Sequence, residues 1–457
     1  MRVDFLGNPV TVSTDAALAA VDDFIDGFLA YETRAAGVLA AADANPASAL
    51  LNAYAGILWL LLESPEGPRR AAPYVAKAHA ARARAHPREQ AVVDFLLAWF
   101  DDDIAHAQTI ADTILAAWPN DLLILKLRQY HAFNRGDFPA MLSAATSVAE
   151  ANADNPHFHG MLAFAYEQCH LLADAEASAH QALALKRQEP WAQHALAHVM
   201  LTQGRIDEGA TFLEGMRDTW TGLNSFMDTH LWWHLALFYL SQGRFDEALA
   251  VHDQHCWTQE KDYSQDQVGA VSLLARLELA GVDVGERWSD LADHLAQRGE
   301  DVVQPFLTLQ YLYGLARAGR AEAQPLLDAV RKMATNAPEF TRSAWRDAAL
   351  PAAEGLVAHA RGDFEAAVQG LRTALPRLIE VGGSHAQRDF FEQIALDATI
   401  RSGRLGEAQQ ALELRRAFDP DGVPLNRTLA DVYVRLGLPR EAAKARARVE
   451  RRLAALA

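Results

Sequence analysis

The chain has 457 residues, half of them hydrophobic, with 42 basic against 59 acidic side chains and a net charge of −17. That much apolar content excludes a disordered chain. The acidic balance argues against sequence-independent nucleic-acid binding, which needs a cationic surface to displace counterions, and against anionic membrane surfaces. A chain this long normally splits into domains, unless it is built of units that pack only on their neighbours.

The opening residues, Met1 to Pro9, lack the apolar core of a signal peptide. The most apolar stretch, Ala47 to Leu62, contains Asn52 and ends at Glu63-Ser64-Pro65. It falls short of the roughly 20 residues a bilayer requires, so a buried helix is expected. The two cysteines, Cys169 and Cys256, are too few for a disulfide framework. A cytoplasmic protein is expected, without membrane or nucleic-acid partners.

Alanine and leucine, both strong helix formers, dominate, and no run alternates β-branched or aromatic with polar residues. The residues to about Pro119 show weak periodicity and are expected to form an irregular helical cap, domain 1–119. From there a punctuated pattern runs to the end, domain 120–457. Gly136-Asp137-Phe138, Gly204-Arg205-Ile206-Asp207-Glu208, Gly243-Arg244-Phe245-Asp246-Glu247, Gly319-Arg320-Ala321-Glu322, Gly362-Asp363-Phe364-Glu365 and Gly403-Arg404-Leu405-Gly406-Glu407 share one form, and Gly281 and Gly437 fit it. Glycine in the left-handed conformation ends one helix, and an acidic residue suits the start of the next.

From 136 to 204 is 68 residues, twice 34, with His170 at the midpoint; the later intervals are 39, 38, 38, 43, 41 and 34. A period of 34 is that of the tetratricopeptide repeat, which predicts roughly ten to twelve hairpins. The expected fold is all-α: an α-solenoid of tetratricopeptide-like helical hairpins forming a right-handed superhelix. The run from Pro439, with Arg440, Lys444, Arg446, Arg448, Arg451 and Arg452, reads as a solvated terminal helix.

Counting back 13 residues from the breaks at 170, 204 and 243 reaches His157, Trp191 and His230. One turn further come His194 in the second helix, and Trp233 and His234 in the third; His198 lies one turn beyond His194. Residues three or four apart share a helix face. Equivalent positions line up across stacked repeats, so these side chains are expected to converge on a concave groove, with Tyr166, Glu167 and Trp220 nearby. Imidazoles supply donors and acceptors near neutral pH, and indoles supply an apolar face with one donor. The bland alternative is packing, because tetratricopeptide repeats carry a large residue near the start of the first helix.

His194/His198 and His230/His234 are i, i+4 pairs, the spacing zinc proteases use on a helix, but Ala195 and Leu231 stand where that motif has glutamate. A divalent metal held by His194, His198, His230 and His234 is one reading; hydrogen-bonded histidines in a polar pocket are the other. His255-Cys256 offers a nucleophile pair, though sequence neighbours seldom face each other. Further along, Gly382-Gly383-Ser384-His385-Ala386-Gln387-Arg388-Asp389 opens a helix that Ser384 can cap. Its first turn favours anions, and Arg388 presents a bidentate fork. The structural alternative is a cap plus an Arg388–Asp389 ion pair.

Three blocks resemble the tetratricopeptide-repeat protein 38 family: Pro87-Arg88-Glu89 through Trp118-Pro119-Asn120-Asp121-Leu122-Leu123; His157 through Trp191, His194-Ala195-Leu196-Ala197-His198 and His230-Leu231-Trp232-Trp233-His234 to Asp253; and Gly382 through Asp389. The resemblance implies a cytoplasmic repeat protein with a polar groove drawing on His157, Trp191, His194, His198, His230, Trp233, His234, Asp253, His385, Gln387, Arg388 and Asp389, with His385 the position where family members differ. It supplies no substrate. Three functions are in play: binding a small polar or aromatic molecule or a peptide; an enzyme with His198, His230 or His234 as general acid or base, oriented by Asp253 or Asp389; and a protein–protein scaffold.

Overall fold

The computed structural model describes residues 2–455. They are almost wholly helical, apart from a short antiparallel ribbon in which Arg2–Val3 pairs with Pro9–Val10. Consecutive helices pack as hairpins, for example Ala49–Leu60 on Glu66–Ala81, Pro156–Gln168 on Leu172–Leu185, and Leu350–Ala360 on Phe364–Ala374. The fold is an all-α repeat of tetratricopeptide type. Packing divides it into two compact units, Met1–Ala195 with Thr219–Met227, and Leu196–Asp218 with Asp228–Ala457.

The punctuation has the backbone geometry expected of it. Gly136, Gly204, Gly243, Gly281, Gly319, Gly362, Gly403 and Gly437 all have φ between +67° and +87°. His170, at the midpoint of the long interval, has φ +56°, so it makes the same break without being glycine. After Gly136 and Gly362, Asp137 and Asp363 cap the next helix by accepting from the backbone N–H groups of Ala140 and Ala366. After Gly204 and Gly243 the arginine makes no side-chain cap; it pairs forward with the acidic residue three positions on, Arg205 with Glu208 and Arg244 with Glu247.

Three further breaks lie in the N-terminal region, at Tyr31 (φ +59°), Glu63 (φ +51°) and Asp102 (φ +60°). The steps 63 − 31 = 32, 102 − 63 = 39, 136 − 102 = 34 and 170 − 136 = 34 match those downstream. The residues to Pro119 therefore carry the same hairpin punctuation, hidden because its left-handed position is not glycine. One hydrophobic core runs through position 119, with Val92, Leu96 and Ile114 in the same cluster as Leu122, Leu125 and Leu127. A non-glycine residue held left-handed costs about 1 kcal/mol. Asp102 is exposed, so Asp102→Gly is expected to raise unfolding stability by about 0.5–1 kcal/mol, read as a higher denaturation midpoint. An unchanged or lower midpoint would show that this position carries no strain.

Candidate functional site

The candidate residues fall into two sets, one in each unit. In the first unit the helix Pro156–Gln168 carries His157, and the helix Pro190–Thr202 begins with Trp191 and His194. His157 Nδ1 meets Glu189 Oε1 at 3.2 Å, and its Nε2 meets Asp26 Oδ1 at 3.3 Å. Burial works against the charged imidazole, but the hydrogen bonds to Asp26 and Glu189 outweigh it and hold the His157 pKa above its ordinary value. Glu189 also accepts from the Ala192 N–H, so it ties His157 to the start of the next helix. Trp191 stacks between Tyr31, at 5.1 Å between ring centres, and His194, at 4.5 Å. Lys126 sits over the Tyr31 ring and donates to the carbonyls of Phe28 and Leu29; burial holds its pKa well below the usual lysine range. Every charged group in this set is engaged, which is the arrangement of a packed polar core.

The second unit gathers the rest. His198 and His234 are fully buried and His230 is 9 % exposed, so these imidazoles are enclosed and do not lie along an open surface. The ring of His234 lies 4.5 Å from His198 and 4.8 Å from His230, centre to centre, and His385 lies 5.2 Å from His198. One ring nitrogen on each of His198, His230 and His234 lies within 4.8 Å of those on the other two. His194, the fourth imidazole of the sequence-based metal reading, belongs to the first unit. Burial, reinforced by His234, His385, His230 and Arg388, holds His198 well below its ordinary pKa, and burial pushes His230 down to about 3. Both shifts favour the neutral ring, which can donate from one nitrogen and accept at the other.

The third sequence block joins this cluster from far along the chain. Ser384 and Gln387 form a reciprocal capping box at the start of the helix His385–Arg401. Gly383 has φ +77°, and a Cβ there would meet the Phe306 ring at 2.5 Å, so this approach requires glycine. His385 Nε2 lies 2.8 Å from the Thr202 hydroxyl. Arg388 donates to the Gly383 carbonyl, and Asp389 pairs with Arg415 and, at 3.8 Å, with Arg276. Asp389 is thus held by arginines of two other helices, Leu405–Arg416 and Ser264–Leu279.

A small cleft opens between these elements, lined by His230, Trp233, Gln265, Ser272, Gln310 and Gln387, with a volume of about 10 Å³. The His230 and Trp233 rings lie parallel along it, 5.3 Å apart. Two of its polar atoms, Trp233 Nε1 and Gln310 Oε1, are buried and have no hydrogen-bonding partner in the protein. Arg276, buried behind it, donates to the Ser272 hydroxyl and, at 2.9 Å, to the Ala386 carbonyl, and lies over the Trp233 ring at 5.5 Å.

Arg276, Ser272, Gln310 and Arg415 were not singled out in the sequence. The signal for two of them was present: Arg276 and Gln310 interrupt apolar helical runs, Leu273-Leu274-Ala275-Arg276-Leu277 and Leu307-Thr308-Leu309-Gln310-Tyr311. Asp253 stands apart, held by His252 at 3.0 Å and Arg287 at 2.7 Å. The His255–Cys256 pair does not assemble. The Cys256 thiol is buried, turned to the Thr229 carbonyl and pushed up in pKa, while the His255 ring stacks on Trp232 at 3.5 Å.

Among the described residues no helix is long and apolar enough to cross a membrane. No family model matches the chain. It is similar to the solved human IFIT1 dimer with PPP-AAAA, at 15% identity and TM-score 0.42, over 96% of this chain and 95% of that one. The human IFIT1 dimer with m7Gppp-AAAA gives 14% identity and TM-score 0.43 over 96% and 95%. The Naa15/Naa10 assembly bound to HypK-THB gives 12% identity and TM-score 0.26 over 94% and 68%. Likenesses this loose transfer no ligand to this chain. One expectation is corrected: nucleic acid is not excluded as a partner, and the IFIT1 structures similar to this chain hold the oligonucleotides PPP-AAAA and m7Gppp-AAAA. Net charge is a whole-chain quantity, whereas an oligonucleotide end is held locally.

Proposed function

We propose that this protein binds a compact polar molecule in the cleft of its second unit, and that it stands with the tetratricopeptide-repeat protein 38 family as a cytoplasmic ligand-binding repeat protein. The observation that carries the reading is the pair of buried, unpartnered polar atoms on one cleft: an indole N–H at Trp233 and an amide oxygen at Gln310. Each such group costs about 1–3 kcal/mol to bury unpaired, so they persist where a ligand or ordered solvent completes them. The complement is a molecule with an acceptor for Trp233 and a donor for Gln310, lying against the His230 and Trp233 rings: a small amide, hydroxy acid or nucleobase edge. At about 10 Å³ the cleft has room for about one water, far below the usual 300–1,000 Å³ of drug-sized sites, so an occupant reaches the two atoms with its polar tip or by turning the lining side chains aside. Two of the three blocks that carry the family resemblance meet at this cleft, one through His230 and Trp233 and the other through Gln387.

Thermal shift of the full chain against a panel of small amides, hydroxy acids and nucleobases tests this. At least one compound is expected to raise the midpoint in the wild type and to lose that effect in Gln310→Leu. The same variant is expected to be as stable as the wild type without compound, or more so, because it removes a buried unpaired acceptor. A panel without effect, or a shift retained by Gln310→Leu, contradicts the reading.

A further inference from the structure

The three imidazoles beside the cleft have a geometry that the ligand reading does not use. His230 and His234 lie one turn apart on the helix Ser225–Gln242, and His198 comes from the helix Pro190–Thr202. All three rings are enclosed, and one nitrogen of each lies within 4.8 Å of the others. Three rings of the same ligating type are packed together at one point of the core, close enough for one nitrogen of each to converge. Metal ligation is the chemistry that a convergence of three ring nitrogens serves.

We propose that His198, His230 and His234 form a binding site for one divalent transition-metal ion of the zinc class. Three histidine nitrogens at about 2.0–2.1 Å from such an ion stand on the order of 3.3 Å apart. From separations of up to 4.8 Å, side-chain rotation closes the triad without moving a helix. An imidazole donor set suits zinc, copper or nickel and is a poor match for calcium or magnesium, which prefer oxygen. Three protein ligands leave a fourth coordination position for solvent or a bound molecule, and His230 also lines the cleft beside Trp233 and Gln310. The site would then present a Lewis-acidic centre to whatever enters the cleft.

The test uses the full chain, stripped with a chelator, incubated with zinc alone, desalted and analysed for metal. One zinc per chain is expected in the wild type, with loss of most of it in His198→Asn and His234→Asn. Control variant His180→Ala, at a residue whose side chain is 60% exposed, is expected to keep it. Cobalt in place of zinc is expected to give the strong visible absorption of a four-coordinate site in the wild-type protein, a readout independent of any variant's folding. Gln310→Leu is expected to keep the metal, which separates this site from the ligand reading. No retained zinc in the wild type, retention unchanged in both asparagine variants, or only the weak absorption of six-coordinate cobalt would overturn the proposal.

Discussion

Replacing Arg88 with alanine is expected to cost about 3–5 kcal/mol of folding stability, the largest single effect in the first unit. Arg88 has no exposed surface. Its Nε donates to Asp121 at 2.7 Å, its Nη1 reaches the Pro9 carbonyl at 3.3 Å and Asp4 at 3.4 Å, and its Nη2 lies 3.4 Å from the Tyr54 hydroxyl. One guanidinium therefore joins the N-terminal ribbon, the helix Ala49–Leu60, its own helix Pro87–Phe100 and the cap of Leu122–Phe133, where Asp121 also accepts from the Ile124 N–H. Alanine would strand two buried carboxylates.

The loss has a pH signature. Burial already pushes Asp4 up to about 6 against the pull of Arg88. A carboxyl raised on folding contributes stability below its unfolded value near 3.8, and that contribution is lost as pH rises through about 6. Without Arg88 the Asp4 carboxyl is raised further and takes up a proton more readily. The variant is therefore expected to lose less at pH 5 than at pH 8, measured by chemical denaturation at each pH. A pH-independent loss would mean that the cost is packing alone.

Arg276→Met is expected to cost about 2–4 kcal/mol and to abolish the ligand response together with it. Arg276 is buried in the helix Ser264–Leu279, where burial pushes it down to about 10 despite the attraction of Asp389. It holds the Ala386 carbonyl, faces Asp389 and covers the Trp233 ring. It is thus the link between the third sequence block and the wall of the cleft. Methionine keeps the volume and loses every one of those bonds. Arg415 provides the contrast: it also pairs with Asp389, but its side chain is 31% exposed, and Arg415→Met is expected to be milder and to leave the ligand response in place. Equal effects of the two substitutions on ligand response would show that Asp389 pairing, and not the cleft wall, is what matters.

The repeat was legible wherever the left-handed break is a glycine, because only glycine advertises that conformation by its identity. Tyr31, Glu63 and Asp102 adopt it at a cost of their own and leave no mark in the sequence, so the N-terminal hairpins read as irregular; His170 was placed only by lying halfway between two glycine breaks. The His230/His234 pair was legible from helical spacing. Its company was legible in part: the resemblance placed the block at Gly382–Asp389 with it, whereas Arg276 and Gln310 arrive through packing between helices more than 30 residues apart. Counting back from each break treats equivalent positions as equivalent in environment. His157 and His230 show the limit of that: the first is bracketed by two carboxylates and held up in pKa, the second is buried against an indole and pushed down. Excluding nucleic acid from net charge failed for a related reason, because a sum over the chain says nothing about one local site.

The most direct test is a calorimetric titration of the wild type, Trp233→Phe and Gln310→Leu with the compound giving the largest thermal shift. If the indole N–H and the amide oxygen are completed by that molecule, each variant should weaken binding by about tenfold or more. Affinities that match the wild type in both variants would contradict the assignment of the cleft.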